Sequence, residues 1–266
     1  MIKTQIISVI NQKGGVGKTT TVINLAAALA MQNKKVLVID LDPQGNATTG
    51  FGLSNIDSKD TIYEVLIGSK EFKDVIKNTN VENLKIITSN VELSGLEAET
   101  AADSKRAFFL KEKISQFLKV NHGQFSYIFV DCPPSLSLLT VMALVASHSL
   151  VVPLQAEFFA LEGLSQLMKT IDRVKIKLNP TLEIRGVLLT MFDKRNKLST
   201  EVDAEARKFF QTKVYQTVIP RNVRLSEAPS HGTPVLIYDT LCSGSKSYRD
   251  FAEEFLKQEH LIKSAA

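Results

Sequence analysis

Cysteine is scarce: Cys132 and Cys242 are the two thiols in 266 residues. The pair excludes a disulfide scaffold and has no zinc spacing. A chain of this length buries a sizeable core without such staples. The four histidines, His122, His148, His231 and His260, are scattered, with no metal-ligand spacing between them. Ordinary structural roles are expected, and His231 is expected only to shape its Ser-His-Gly turn. No uninterrupted apolar run reaches the ~20 residues of a membrane span. The nearest, Leu138 to Leu154, is broken by Ser147, His148, Ser149 and Pro153. It reads as a buried helix running into a buried strand. The N-terminal MIKTQIISVINQKGG lacks a basic leader with a long apolar core, so no signal peptide is expected. Nor does one charge dominate. The 32 basic and 28 acidic residues leave +4, so any nucleic-acid contact must come from a local patch. With 44% hydrophobic and 23% charged residues, the expectation is a soluble, intracellular, globular protein.

Short β-branched runs alternate with longer helical patterns. Strands are predicted at Ile6–Ile10, Val36–Ile39, Leu84–Thr88, Tyr127–Val130, Leu150–Leu154, Ile184–Leu189 and Val214–Ile219. Helices are predicted at Lys18–Gln32, Lys105–Lys119, Leu161–Leu178, Ser199–Phe210 and Ser245–Glu259. Continuous apolar strands separated by helices imply a mostly parallel sheet covered on both faces. Right-handed crossovers then give a doubly wound α/β fold. No linker, repeat or low-complexity segment divides the chain. Residues 50 to 103 are less regular, with polar stretches such as SNIDSKD, and read as an excursion on one domain spanning 1–266.

The strongest signal directly follows the first strand: Lys13-Gly14-Gly15-Val16-Gly17-Lys18-Thr19-Thr20. Glycines let backbone N–H groups close around phosphate oxygens. The helix opening near Lys18 turns its N–H groups and positive dipole end toward the same anion. Lys18 would neutralise the β- and γ-phosphates, and the Thr19 hydroxyl would ligate Mg²⁺. A plain glycine turn is the ordinary alternative, but the string stands in the strand–loop–helix context that phosphate binding requires. It departs from the usual phosphate loop in one respect. The first glycine of that pattern would fall at Gln12, and Lys13 stands beside it.

Acids follow two further strands. Asp40 and Asp42 end the second strand in VLVIDLDPQG. Ligands of such sheets bind beyond the carboxyl ends of the strands, so either aspartate could reach the metal or the attacking water. Asp131 ends the strand of YIFVDCPPSL, an acid at a strand tip placed to hold Mg²⁺, through water. Pro133 and Pro134 stop that strand. Cys132 has no histidine nearby in sequence and reads as buried filler rather than a nucleophile.

Lys-Gly-Gly-Val-Gly-Lys-Thr resembles the deviant Walker A motif of the ParA/MinD group of P-loop ATPases. Three further segments, PLQAEFFALEGLSQL, LLTMFDKRNKLS and VIPRNVRLSEAPSHGTPVLIYD, resemble its chromosomal ParA (Soj) branch. The resemblance implies an Mg²⁺-dependent ATPase of slow turnover, forming a homodimer with two ATP molecules sandwiched between subunits. It gives Lys13 a role at the partner's nucleotide, Asp42 the positioning of the attacking water, and Asp40 support of the site. It places the base against Pro220, Arg221 and Asn222, with Met191 as a further candidate. Lys194, Arg195, Lys197, Arg221 and Arg224 gather in the same segments. Charge alone reads there as a solvated face. The resemblance makes Arg195 and Arg224, with Lys197 beside them, contacts to the DNA backbone without base reading. One patch is small, so useful affinity would need the two patches of a dimer.

The implied activity is a DNA-partitioning switch, cytoplasmic and nucleoid-associated, released when a ParB-like partner's flexible basic N-terminal tail stimulates hydrolysis. The sequence starts at its first strand, so no N-terminal DNA-reading domain is expected. The alternative is a membrane-associated positioning ATPase of the MinD kind, which needs a basic amphipathic C-terminal helix. Here Asp250, Glu253, Glu254 and Glu259 stand among the lysines and would be repelled by anionic lipid, so no membrane partner is expected. An electron-transfer ATPase like nitrogenase iron protein would need cluster-ligating cysteines, and neither Cys132 nor Cys242 is suitably placed.

Overall fold

A computed structural model of the chain describes residues 4–54, 59–157 and 160–264, without the side chains of 160–162 and 260–264. Residues 55–58 of the polar stretch, Phe158, Phe159 and the His260 side chain lie outside it. Seven strands form one sheet: β1 Gln5–Val9, β2 Val36–Asp40, β3 Ile76–Asn78, β4 Leu84–Ile87, β5 Tyr127–Asp131, β6 Ser149–Gln155 and β7 Glu183–Thr190. Their order is β3-β4-β2-β5-β1-β6-β7. Neighbours run parallel, except that β3 pairs antiparallel with β4 at the edge. The doubly wound, mostly parallel expectation therefore holds.

The central strands β1, β2, β5 and β6 are largely apolar because both faces are covered. Ile7, Val9, Val36, Val38, Tyr127 and Phe129 pack on one side, with helices Lys18–Met31 and Ser243–Ser264. Their alternating neighbours Ile6, Leu37, Ile39, Ile128 and Val130 pack on the other, with helices Phe109–Val120 and Leu138–Ala146. Helices Ala160–Lys177 and Lys197–Phe210 close over β6 and β7. Helix Phe109–Val120 starts four residues later than predicted, after the 3₁₀ turn Arg106–Phe108.

One predicted strand is not formed. Val214–Ile219 runs beside β7 but meets it only through isolated contacts. The Tyr215 N–H donates to the Val187 carbonyl at 3.0 Å and the Ile219 N–H to the Leu189 carbonyl at 2.9 Å. Between them, the Gln216 and Thr217 N–H groups donate instead to the Glu254 carboxylate, at 2.7 and 2.8 Å. A charged acceptor on the C-terminal helix thus replaces the ladder. The missed strand β3 is three residues long and only half-buried, too short to show a period.

Tyr215 is fully buried, and its ring occupies the space a side chain at Gly186 would need. A Cβ there would lie 2.4 Å from Tyr215 Cε2 and 3.0 Å from the Lys213 carbonyl oxygen. Gly186→Ala is expected to destabilise the chain by about 1–3 kcal/mol through overpacking. The loss would be measured as a lower denaturation midpoint with an unchanged denaturant slope.

Candidate nucleotide site

The loop between β1 and helix Lys18–Met31 is shaped by two left-handed glycines, Gly15 at φ 75° and Gly17 at φ 86°. Other residues adopt this region only with strain. Gly17 is the helix N-cap and contributes no side-chain cap, so the first-turn N–H groups await an external acceptor. The loop is tied down from both ends. Asn11 accepts from the Lys13 N–H at 3.0 Å and donates to the Pro153 carbonyl at 2.7 Å. The Thr190 hydroxyl, at the end of β7, donates to the Val16 carbonyl at 2.8 Å. Lys18 is buried and donates to the Lys13 carbonyl at 3.0 Å. Burial lowers its pKa, and the charges of Asp131 and Asp42 oppose that shift.

The acids lie at the same carboxyl edge. Asp40 and Asp131 face each other in register across β2 and β5, and both are fully buried. Asp40 is well partnered. One oxygen accepts from the Thr48 N–H and hydroxyl, both at 2.8 Å, and the other from the Asp42 N–H at 3.2 Å. Burial still pushes its carboxyl up to about 6. Neither Asp131 oxygen is within ordinary hydrogen-bond geometry of a donor, although the Thr19 hydroxyl stands close by. Burial, then the charge of Asp40, raises its pKa well above the usual range, while Thr19 and Lys18 pull it down. A buried carboxylate beside a threonine hydroxyl suits a divalent cation. Among the described residues, no three His, Cys, Asp or Glu side chains gather as a cage. Mg²⁺ keeps waters and takes phosphate oxygens alongside one or two protein ligands. Burial and Asp131 push the Cys132 thiol up, so it stays protonated and unreactive.

Two open clefts meet here. One, of about 340 Å³, is lined by Gly14, Lys18, Thr19, Asp42, Pro134 and Met191 among others. The next, of about 380 Å³, shares Gly17, Thr20, Met191 and Pro229 with it and continues to Pro220, Arg221 and Asn222. All the predicted base-side residues thus line one cleft. Met191 holds a left-handed φ of 50°, uncommon for a residue with a side chain. The Asn222 side chain is engaged structurally. It caps helix Val223–Glu227, accepting from the Arg224 N–H at 2.8 Å, and donates to the Ser243 hydroxyl at 2.7 Å. Sequence reasoning missed Ser226, Pro229 and Tyr248 on this cleft. They lie about two hundred residues from the loop, and no local pattern marks them. It also missed Thr48 and Glu157. Lys13 forms an ion pair with Glu157 of its own chain.

The basic residues are brought together by backbone pairing. Phe192 bridges to Pro220, its N–H donating to the Ile219 carbonyl at 3.0 Å. Residues 193–197 then lie beside 221–224, close enough that Arg221 lowers the Asp193 carboxyl after the larger pull of Arg195. Arg195, Lys197 and Arg224 each have a carboxylate at hand. These are Asp193 at 2.8 Å, Glu201 at 3.7 Å, and for Arg224 both Glu227 at 2.8 Å and Asp239 at 3.4 Å.

A family profile described as an AAA domain matches residues 4–184. The chain is 49% identical over 255 residues to the chromosome partitioning protein ParA of Caulobacter vibrioides, covering 96% of this chain and 95% of that one. It is 50% identical over 250 residues to the sporulation initiation inhibitor protein Soj of Bacillus subtilis, covering 94% and 97%. Among solved structures, cobyrinic acid a,c-diamide synthase from Mycobacterium smegmatis, with bound ATP analogue and magnesium, is similar at a TM-score of 0.84 and 34% identity, covering 96% and 95%.

Thr48 bears on both ends of the acid cluster: it holds Asp40, and its hydroxyl oxygen accepts from the Ser89 N–H at 3.0 Å. Thr48→Val would leave a buried carboxylate oxygen and a buried N–H short of partners, an expected loss of about 1–3 kcal/mol. Thr48→Ser should recover most of it in the same denaturation measurement.

Proposed function

The chain belongs to the ParA/Soj family of chromosome-partitioning ATPases, and from that premise we propose that it is an ATP-driven DNA-partitioning switch, acting as one nucleotide-binding domain. The observation that carries the reading is the common sheet edge. There an uncapped helix N-terminus, Lys18, Thr19 and Asp42 line one cleft, and the buried Asp131 lies behind it, close enough to Lys18 and Thr19 for both to lower its pKa. ATP lies with its phosphates on the Gly14–Thr20 loop and its base toward Met191 and Pro220–Asn222. Thr19 and Asp131 would hold Mg²⁺, which would supply neutralisation of phosphate charge.

Hydrolysis is in-line attack of water on the γ-phosphate. Asp42 orients that water, and its loop is held from beneath by Asp40. Lys18 and the loop N–H groups stabilise the charge that develops. Lys13, freed from Glu157, reaches the partner's nucleotide in an ATP-dependent dimer. Turnover is slow until a ParB-like partner stimulates it, so the ATP state lasts long enough to act as a signal. Arg195, Lys197 and Arg224 contact DNA phosphates without reading bases. The phosphate-loop strand and the DNA loops lean on the same strand end. Thr190 holds the phosphate loop, and Met191 and Phe192 lead into the basic segment. That continuity supports coupling of nucleotide state to DNA affinity. The reading follows relatives at half identity over nearly the whole chain, rather than the solved structure at a third, whose name describes another reaction.

The membrane alternative has less support. Helix Ser243–Ser264 buries Tyr248, Phe251, Ala252 and Phe255 in the core, so this apolar face is already occupied. No helix among the described residues is long and apolar enough to cross a membrane. A cytoplasmic, nucleoid-associated protein follows from the DNA reading.

Asp42→Ala should slow hydrolysis and trap the ATP state. Its binding to unrelated duplexes, measured in ATP and in ADP, is expected to be tight and sequence-indifferent only in ATP, weakening as salt rises. Absence of binding in both nucleotides, with ATP occupancy and dimer formation verified, would overturn the DNA reading.

A further inference from the structure

The basic patch is nearly neutral as built. Five cations, Lys194, Arg195, Lys197, Arg221 and Arg224, share it with four carboxylates, Asp193, Glu201, Glu227 and Asp239. The pairing is specific in geometry. Asp193 receives the Arg195 backbone N–H at 3.0 Å, its Nε at 3.0 Å and a terminal guanidinium nitrogen at 2.8 Å. This two-pronged grip on the guanidinium is the one a phosphate would otherwise take. Arg224 is held differently, by two separate carboxylates: a terminal guanidinium nitrogen donates to Glu227 at 2.8 Å, and its Nε lies 3.4 Å from Asp239. Arg195 is 89% exposed at its side chain, so the fold does not need this pair. Exposed ion pairs contribute little to stability.

We propose that Asp193 and Glu227 are built-in counter-ions that compete with DNA phosphates for Arg195 and Arg224 and so hold the protein's DNA affinity low. The inference rests on the DNA reading above and adds to it which residues set the strength of that contact. Two physical effects act in the same direction. Each guanidinium must exchange a carboxylate for a phosphate, so little new pairing is gained per contact. The displaced carboxylate then stays within a few ångströms of the phosphate, where it repels it or takes up a cation from solution. That uptake cancels part of the counter-ion release that drives DNA binding. A switch that must leave DNA once its nucleotide is hydrolysed is served by contacts that are individually weak and effective only in pairs.

The opposite role is open to the same geometry: Asp193 could hold the Arg195 guanidinium in the pose that meets a phosphate. The two roles differ in sign. Asp193→Asn keeps the oxygen that accepts the Arg195 N–H and removes the charge. Glu227→Gln likewise keeps an acceptor for Arg224. Both sites are on the surface, and matched melting curves would verify intact folding.

The test is equilibrium binding of the full chain, with Mg²⁺ and a slowly hydrolysed ATP analogue, to a random-sequence duplex across a salt series. Asp193→Asn and Glu227→Gln are each expected to tighten binding by up to about fivefold, and together by up to about twentyfold. Each should also steepen the dependence of log K on log salt, by up to about 0.9. Arg195→Ala should weaken binding, and adding Asp193→Asn to it should recover less than in the parent chain. Unchanged or weaker binding by the carboxylate variants, beside normal wild-type binding, would overturn this inference and leave the DNA reading standing. Absence of binding by every form, wild type included, would overturn both.

Discussion

Two carboxylates stand side by side at the tips of neighbouring buried strands, Asp40 on β2 and Asp131 on β5. Water reaches neither, and burial of like charges this close is strongly unfavourable unless something offsets it. The fold offsets one of them. Thr48 and the Asp42 N–H surround Asp40 with donors. Asp131 has no donor in ordinary hydrogen-bond geometry, with Lys18 and Thr19 as the groups that favour its charged form. A cation at this edge would offset that charge. The uncapped helix and the two left-handed glycines supply the complementary need, for an anion. A metal-bound polyphosphate satisfies both at once.

The remaining parts follow from that edge. β7 ends in Thr190, which fastens the phosphate loop, and continues through Met191 into the basic segment. The Phe192–Pro220 bridge joins that segment to the turn that lines the base side of the cleft. One short stretch of backbone thus borders the proposed positions of the phosphates and the base and the proposed DNA surface. The C-terminal helix supports it from below. Glu254 draws the 216–217 backbone away from the sheet, and Tyr248 lines the base cleft.

Local chemistry was the legible part of the sequence. Strands covered on both faces are continuously apolar, so β1, β2, β5 and β6 stand out. The phosphate loop and the strand-end acids are marked by residue type and spacing alone. What the sequence pattern did not carry was long-range competition. Val214–Ile219 has every mark of a strand, yet a carboxylate on a helix 37 residues onward takes its N–H groups. β3 is too short to have a pattern. Ser226, Pro229 and Tyr248 join the base cleft only through folding. The basic residues were visible as charges, but their carboxylate partners were not. Asp193 and Glu227 stand close in sequence to Arg195 and Arg224, where proximity alone does not distinguish a gripping pair from two solvated charges. Asn222 was singled out as part of a turn whose backbone could meet the base, and the capping role of its side chain was not legible.

The account's central claim is that an incomplete buried charge at Asp131 makes the site depend on metal-bound nucleotide. The direct measurement is the unfolding temperature of the wild type and of Asp131→Asn, each alone, with ATP and a metal chelator, and with ATP and Mg²⁺. Its raised pKa means that the folded state disfavours the ionised form, so at neutral pH the neutral amide should make the unliganded protein more stable by a few degrees. ATP with Mg²⁺ should stabilise the wild type far more than ATP without metal, by about 2.7 kcal/mol where ligand exceeds Kd a hundredfold, and the variant should lose most of that metal-dependent gain. An unliganded variant no more stable than the wild type, still stabilised by Mg²⁺ and ATP in full, would contradict the account.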